Sequence, residues 1–201
     1  MFPSQSAAAL ALMILVAVSP VSQAPAATDP NAVVTDFGNR MLTMLDQPQA
    51  SAQDRQRQFA ALLDQDFDFQ AISRFVLGRY WKTATDAEKA QFAAVFKDYV
   101  VQSYSKRFDE FKGSSFKVVG IRAESDTSSV VRTTVMRPAG GQPANVDWRV
   151  AKEGDGYKIT EVSIEGISMS LTHRDEFASI MERNGGSVSD LIAQIRRKTS
   201  T

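Results

Sequence analysis

The chain has no cysteine and one histidine, His173. The first absence excludes disulfides, thiol nucleophiles and Cys-ligated metals. With a single imidazole, a metal site would have to be built from carboxylates, and no D-x-D-x-D loop is present to build it. No sign of charge dominates: Lys and Arg number 23, Asp and Glu 23. The basic residues are interleaved with acids, as in RYWKTATDAEK, so neither nucleic acid nor an anionic membrane surface is indicated as a partner. No Gly-rich loop follows a strand in the manner of a phosphate cradle. Gly140-Gly141, flanked by prolines, reads instead as a hairpin turn. Also missing is any apolar run of the ~20 residues that a membrane-spanning helix needs.

The notable apolar run is AAALALMILVAV, Ala7 to Val18, 12 residues long. Small residues follow it, and Ala24-Pro25-Ala26 supplies an A-x-A cleavage site. This is the pattern of a secretory signal peptide, expected over residues 1–26 and removed on export. No Lys or Arg precedes the run, which departs from the usual n-region. Residues 27–201 are expected to form one domain. The chain is 43% hydrophobic and 23% charged, enough for one core, and too short to require two.

Beyond the leader the periodicity is helical. Asp29-Pro30 reads as an N-cap and first helical position, followed by Val33, Val34, Phe37, Met41 and Leu45 on one face. A second helix carries Phe59, Leu62 and Leu63. A short third carries Phe69, Ile72, Phe75 and Val76 and stops at Gly78. Thr85 to Glu88 is a capping box, and Phe92, Val95, Phe96, Tyr99, Val100, Tyr104 and Phe108 follow at helical spacing. Four β-branched segments come next, residues 116–123, 130–137, 145–151 and 157–166, joined by short turn-rich loops that imply antiparallel pairing. In the third, Val146, Trp148 and Val150 share one face. In the fourth, the apolar parity changes between Ile159 and Val162, as a bulge or burial of both faces would require. Two helices close the chain, one expected to start at a capping box at Thr172–Asp175 and to stop at Gly185-Gly186, the other to begin at Ser187–Asp190, with Val188, Leu191, Ile192 and Ile195 inside and Arg196, Arg197 and Lys198 near its C-terminal end. The fold class expected is α+β: helices packed on a curved, mainly antiparallel four-stranded sheet enclosing an apolar pocket.

The segment EGISMSLTHRDEF places Ser168, His173 and Asp175 within eight residues and comes within one residue of G-x-S-x-G. Read as chemistry, it is a secreted serine hydrolase using Ser168 and His173. Read as structure, Thr172 caps a helix, Asp175 completes the box, and Ser168 ends a strand. A nucleophile elbow needs glycines on both sides of the serine, and here the second is Ser170. The local reading therefore favours a strand-to-helix junction and no enzyme.

Large side chains are the surplus: Phe 12, Met 7, Tyr 4 and Trp 2. Either they fill a core or they line an apolar cavity of the kind that holds a lipid or small ligand. The segments FDFQAISRFVLGRYWKTATDAEKAQFAAVFKDYVVQSY and VDWRVAKEGDGYKITEVSIEGISMSLTHRDEFASIMERNGG resemble the MlaC, or toluene-tolerance, family, which includes the hopanoid-associated HpnM branch. FVLGRYW, DWRV, GYKITEV and EGISM fall in the family's order, and the likeness spans about residues 30 to 198. It implies a periplasmic carrier, with no cofactor, that encloses phospholipid acyl chains. Such a carrier shuttles lipid between an outer-membrane lipoprotein–porin complex and an inner-membrane MCE-domain ABC transporter complex, and so maintains outer-membrane asymmetry. In the HpnM branch the ligand would be a hopanoid. From their pattern and their place in the matching segments, the residues expected to line the lipid site are Phe75, Tyr80, Trp81, Phe96, Tyr99, Tyr104, Val135, Trp148, Val150, Ile159 and Met169.

Overall fold

The computed structural model describes residues 29–138 and 141–199. The proposed signal peptide and part of the Gly140-Gly141 turn lie outside the described residues. The elements run α1 (Pro30–Leu45), α2 (Ala52–Asp66), α3 (Phe69–Leu77), α4 (Asp86–Ser105), β1 (Ser115–Ser125), β2 (Ser128–Met136), β3 (Ala144–Glu153), β4 (Gly156–Ile164), β5 (Ile167–Ser168), α5 (Met169–Arg183) and α6 (Val188–Thr199). Short 3-10 helices at Gly78–Lys82 and Phe108–Phe111 follow α3 and α4. Among the described residues no helix is long and apolar enough to cross a membrane.

Local chemistry sets most boundaries. The Asp29 side chain accepts from the Asn31 N–H and Pro30 begins α1. Thr85 and Glu88 form the reciprocal box that opens α4, and Ser51 with Asp54 does the same for α2. Gly78 ends α3 at φ +54, a conformation glycine adopts without steric cost. The α4 helix stops at Ser105, so Phe108 belongs to the 3-10 turn rather than to the helix.

The sheet is open, antiparallel and ordered β1-β2-β3-β4-β5. It has five strands, not four, because Glu165 and Gly166 turn the chain back at φ +50 and +77 and Ile167-Ser168 pairs with the end of β4. Two successive positive φ values are the signature of a type I′ hairpin turn. The parity change in the fourth strand is a bulge: Arg149 pairs with Glu161 and Val150 with Ile159, leaving Thr160 unopposed. One face of the sheet carries cross-strand ion pairs, Arg132–Asp147 and Arg149–Glu124. The other face takes the helices.

Two apolar clusters result. One joins α3, α4, α5 and α6 through Ile72, Phe92, Phe96, Phe177, Met181 and Leu191. The other joins α1 and α2 to the sheet through Val34, Phe37, Leu63, Val131, Val150 and Ile159. Phe67, Phe69 and Val100 pack against both clusters. Phe67 and Asp68 also anchor the α2–α3 connection to β4, the Asp68 N–H donating to the Ile159 carbonyl at 3.0 Å.

Candidate functional site

A cavity of about 330 Å³ opens between the two clusters. Its wall takes Val34, Phe37, Met41 and Leu42 from α1, Phe59 and Leu63 from α2, and Phe67 and Phe69 from the connection. Phe96, Val100 and Tyr104 come from α4, and Arg107, Phe108, Phe111 and Ser114 from the segment after it. The sheet adds Phe116, Thr133, Val135, Val146, Trp148, Glu161, Val162 and Ile164, and α5 adds Met169, Ser170 and His173. Residues from α1 to α5 thus meet at one site. Phe37 packs edge-on against both Phe67 and Trp148, with centroids 5.3 and 5.5 Å apart.

Polar groups in this wall are few and mostly tied. Glu161 is buried, yet its carboxylate accepts from the Val162 N–H at 2.8 Å, the Ser170 N–H at 3.2 Å and the Ser168 hydroxyl at 2.7 Å. Trp148 Nε1 donates to Thr133 Oγ1, which donates to the Val146 carbonyl. The Tyr104 hydroxyl donates to the Met169 sulfur at 3.3 Å and lies 3.5 Å from His173 Nε2. Burial holds the Tyr104 phenol above its ordinary pKa and the His173 imidazolium below its own.

Five of the residues expected from sequence border the cavity: Phe96, Tyr104, Val135, Trp148 and Met169. The others do not. Val150 and Ile159 are fully buried in the cluster beneath the sheet. Tyr80, Trp81 and Tyr99 pack against the helical cluster, Tyr99 with its ring 5.7 Å from that of His173. Phe75 is 44% exposed, its ring covered by the Arg174 guanidinium. It sits one position off the buried stripe of Ile72 and Val76. Sequence reasoning missed the α1 and α2 contributions and the Phe108–Phe116 run. One signal for the first was Gly38, a glycine inside a helical pattern, over which the Phe116 ring lies so closely that a Cβ would stand 2.3 Å from it.

The Ser168, His173 and Asp175 trio is not assembled. The α5 helix begins at Met169 with Ser168 as N-cap, its Oγ accepting from the Leu171 N–H while donating to Glu161. The expected cap, Thr172, is already inside the helix and donates to the Ser168 carbonyl. His173 is enclosed by Phe96, Tyr99, Tyr104 and Phe177. The hydroxyl of Ser168 thus has a carboxylate as its acceptor and no imidazole base.

The sequence profile of the MlaC protein family matches residues 35–197. The chain belongs to the MlaC family. It is 26% identical over 128 residues to the toluene tolerance protein ttg2D of Pseudomonas putida, a match covering 62% of this chain and 58% of that relative. Its fold superposes with a TM-score of 0.75 on a phospholipid-binding protein from Ralstonia solanacearum solved in complex with a phospholipid. Sequence identity there is 25%, over 86% of this chain and 97% of the other. The α+β architecture expected from sequence is the MlaC fold, with its sheet left open.

Proposed function

We propose that this protein is an exported, periplasmic MlaC-type carrier that holds the acyl chains of a phospholipid in the cavity between its two clusters. It would pass lipid between an outer-membrane lipoprotein–porin complex and an inner-membrane MCE-domain ABC transporter, without chemical change to the cargo. The observation that carries this reading is the cavity itself: an apolar chamber at the place where a fold of this length would be expected to close its core. Membership of the family and the lipid-bound relative support the same conclusion.

The energetics fit. Two acyl chains hold about 30 methylenes, at ~0.8 kcal/mol each on transfer from water. A carrier must offer a dry surface of comparable value. The cavity of about 330 Å³ is at the small end of the ~300–1,000 Å³ range of ligand pockets. Two full chains therefore either extend through its open side or lift the helical cluster off the sheet. The test is extraction and mass spectrometry of protein purified without detergent. About one phospholipid per chain is expected. A hopanoid in its place would assign the cargo to the other branch, and protein free of both that takes none from vesicles would overturn the reading.

A further inference from the structure

Two polar atoms bordering the cavity are buried without a hydrogen-bond partner, His173 Nδ1 on α5 and the Ser114 hydroxyl, and the second belongs to a segment with further donors to offer. From Tyr104 to Ser114 the chain winds in short turns: the Arg107 N–H donates to the Tyr104 carbonyl, Glu110 to Arg107 and Ser114 to Phe111. Tyr104, Arg107, Phe111 and Ser114 all border the cavity. The Ser114 hydroxyl is buried and has no hydrogen-bond partner. A buried hydroxyl left so is destabilising. The Tyr104 hydroxyl has only weak partners, the Met169 thioether and His173 Nε2 at 3.5 Å. Arg107 is the one cation in the described wall, and Glu110 holds it only through exposed contacts of 3.2 and 3.3 Å. A second guanidinium, Arg137, lies 5.2 Å from the centroid of the Phe111 ring, and no carboxylate among the described residues pairs with it. The nearby acids are engaged: Asp109 with Lys112, Asp46 with the Gly113 N–H, and Glu161 with its three donors.

A ligand that completes this arrangement supplies acceptor oxygens and negative charge. We propose that the Tyr104–Ser114 side of the mouth, with Arg137, binds the ester and phosphate oxygens of an anionic glycerophospholipid, and so selects it over zwitterionic or uncharged lipids. The proposal rests on the carrier reading and sharpens it. Acyl chains fill the apolar chamber, Ser114 and Tyr104 donate to ester carbonyls at its edge, and the two guanidinium groups face the phosphodiester where it meets water. Guanidinium suits this task because its planar donors match two phosphate oxygens at once, and two guanidinium charges repel the ammonium that a zwitterionic head group carries beside its phosphate. A hydrocarbon-like polycycle would leave all of these donors unanswered.

The test uses delipidated full-length mature protein incubated with vesicles of equal dioleoyl phosphatidylglycerol and dioleoyl phosphatidylethanolamine. The protein is re-isolated and the ratio of the two bound lipids measured by mass spectrometry. The wild type is expected to hold phosphatidylglycerol in about three- to fivefold excess, the yield of a partly screened ion pair. The ratio should move toward one in the Arg107→Gln/Arg137→Gln variant, and in the wild type at high salt. Arg132→Gln, on the ion-paired face of the sheet, should keep the wild-type ratio. A wild-type ratio near one, or an unchanged ratio in the double variant, would overturn the selection. A wild type that takes neither lipid would overturn the carrier reading itself.

Discussion

His173 shows how a single side chain is set by its surroundings. Its ring stacks at 24° on Phe177 and stands edge-on to Phe96, Tyr99 and Tyr104. Its Nδ1 is buried without a hydrogen bond, 3.9 Å from Glu176. Desolvation lowers its pKa, and the carboxylates of Glu176 and Glu161 only partly oppose this. The unfolded chain therefore binds a proton that the folded one refuses. Stability from this site is intact above about pH 6.5 and falls as the pH drops below that, until the folded imidazole itself protonates. Replacing His173 with Phe keeps the ring packing and removes the titration. The urea midpoint of His173→Phe should thus fall less between pH 7 and pH 5 than that of the wild type, and parallel declines would refute the assignment. Little of this was legible in the sequence, where Thr172 read as the cap and so put His173 at the first position of a helix. The cap that starts α5 is Ser168, whose hydroxyl is held by Glu161 seven residues upstream, and no local capping pattern reveals a tertiary contact of that kind.

Among the elements, α4 shows why the core was easier to read than the cavity. Its aromatic stripe was plain from periodicity, yet Phe92 faces a filled cluster while Tyr104 faces the void, and Phe96 borders both. An apolar side chain obeys the same spacing whether its neighbour is another side chain or an empty volume. The difference lies in how far the opposing element stands away, and that is set by the whole assembly. The irregularity in β4 was legible, as a bulge or as burial of both faces, because it shifts a two-residue period within a single strand, and the register shows it to be a bulge. The contact between α1 and β1 was not. Gly38 lets Phe116 lie against the α1 backbone, and an added Cβ would meet three ring atoms at 2.3 to 2.9 Å. An ordinary Gly→Ala change inside a helix gains up to ~1 kcal/mol. Here overpacking should reverse the sign, and Gly38→Ala should lose about 1–3 kcal/mol in urea denaturation. Adding Phe116→Ala should recover the helical gain, so a double variant no more stable than Gly38→Ala would show that the ring is not the obstacle.

For the whole molecule, the division into two clusters links stability to carriage. Phe67, Phe69 and Val100 touch both clusters and border the cavity, so they form the seam along which the helical part would lift from the sheet. Held rigid and dry, a void of 330 Å³ would cost at most about 8 kcal/mol at ~24 cal/mol per Å³, comparable with the whole stability of a typical domain, ~5–15 kcal/mol. Retaining such a void makes sense only if a ligand usually fills it. A side chain that fills it permanently should therefore exchange function for stability. Val100→Trp introduces a large ring at the seam, from a helix that reaches both clusters. The delipidated variant should unfold at a higher urea concentration than delipidated wild type, because buried apolar contacts replace empty volume. The same variant should recover much less phospholipid from vesicles. Binding should raise the midpoint of the wild type and leave that of Val100→Trp nearly unmoved, since only a ligand that prefers the folded state shifts the equilibrium. A variant that gains no stability when empty and still loads fully would mean that the volume beside Val100 is not where the acyl chains lie.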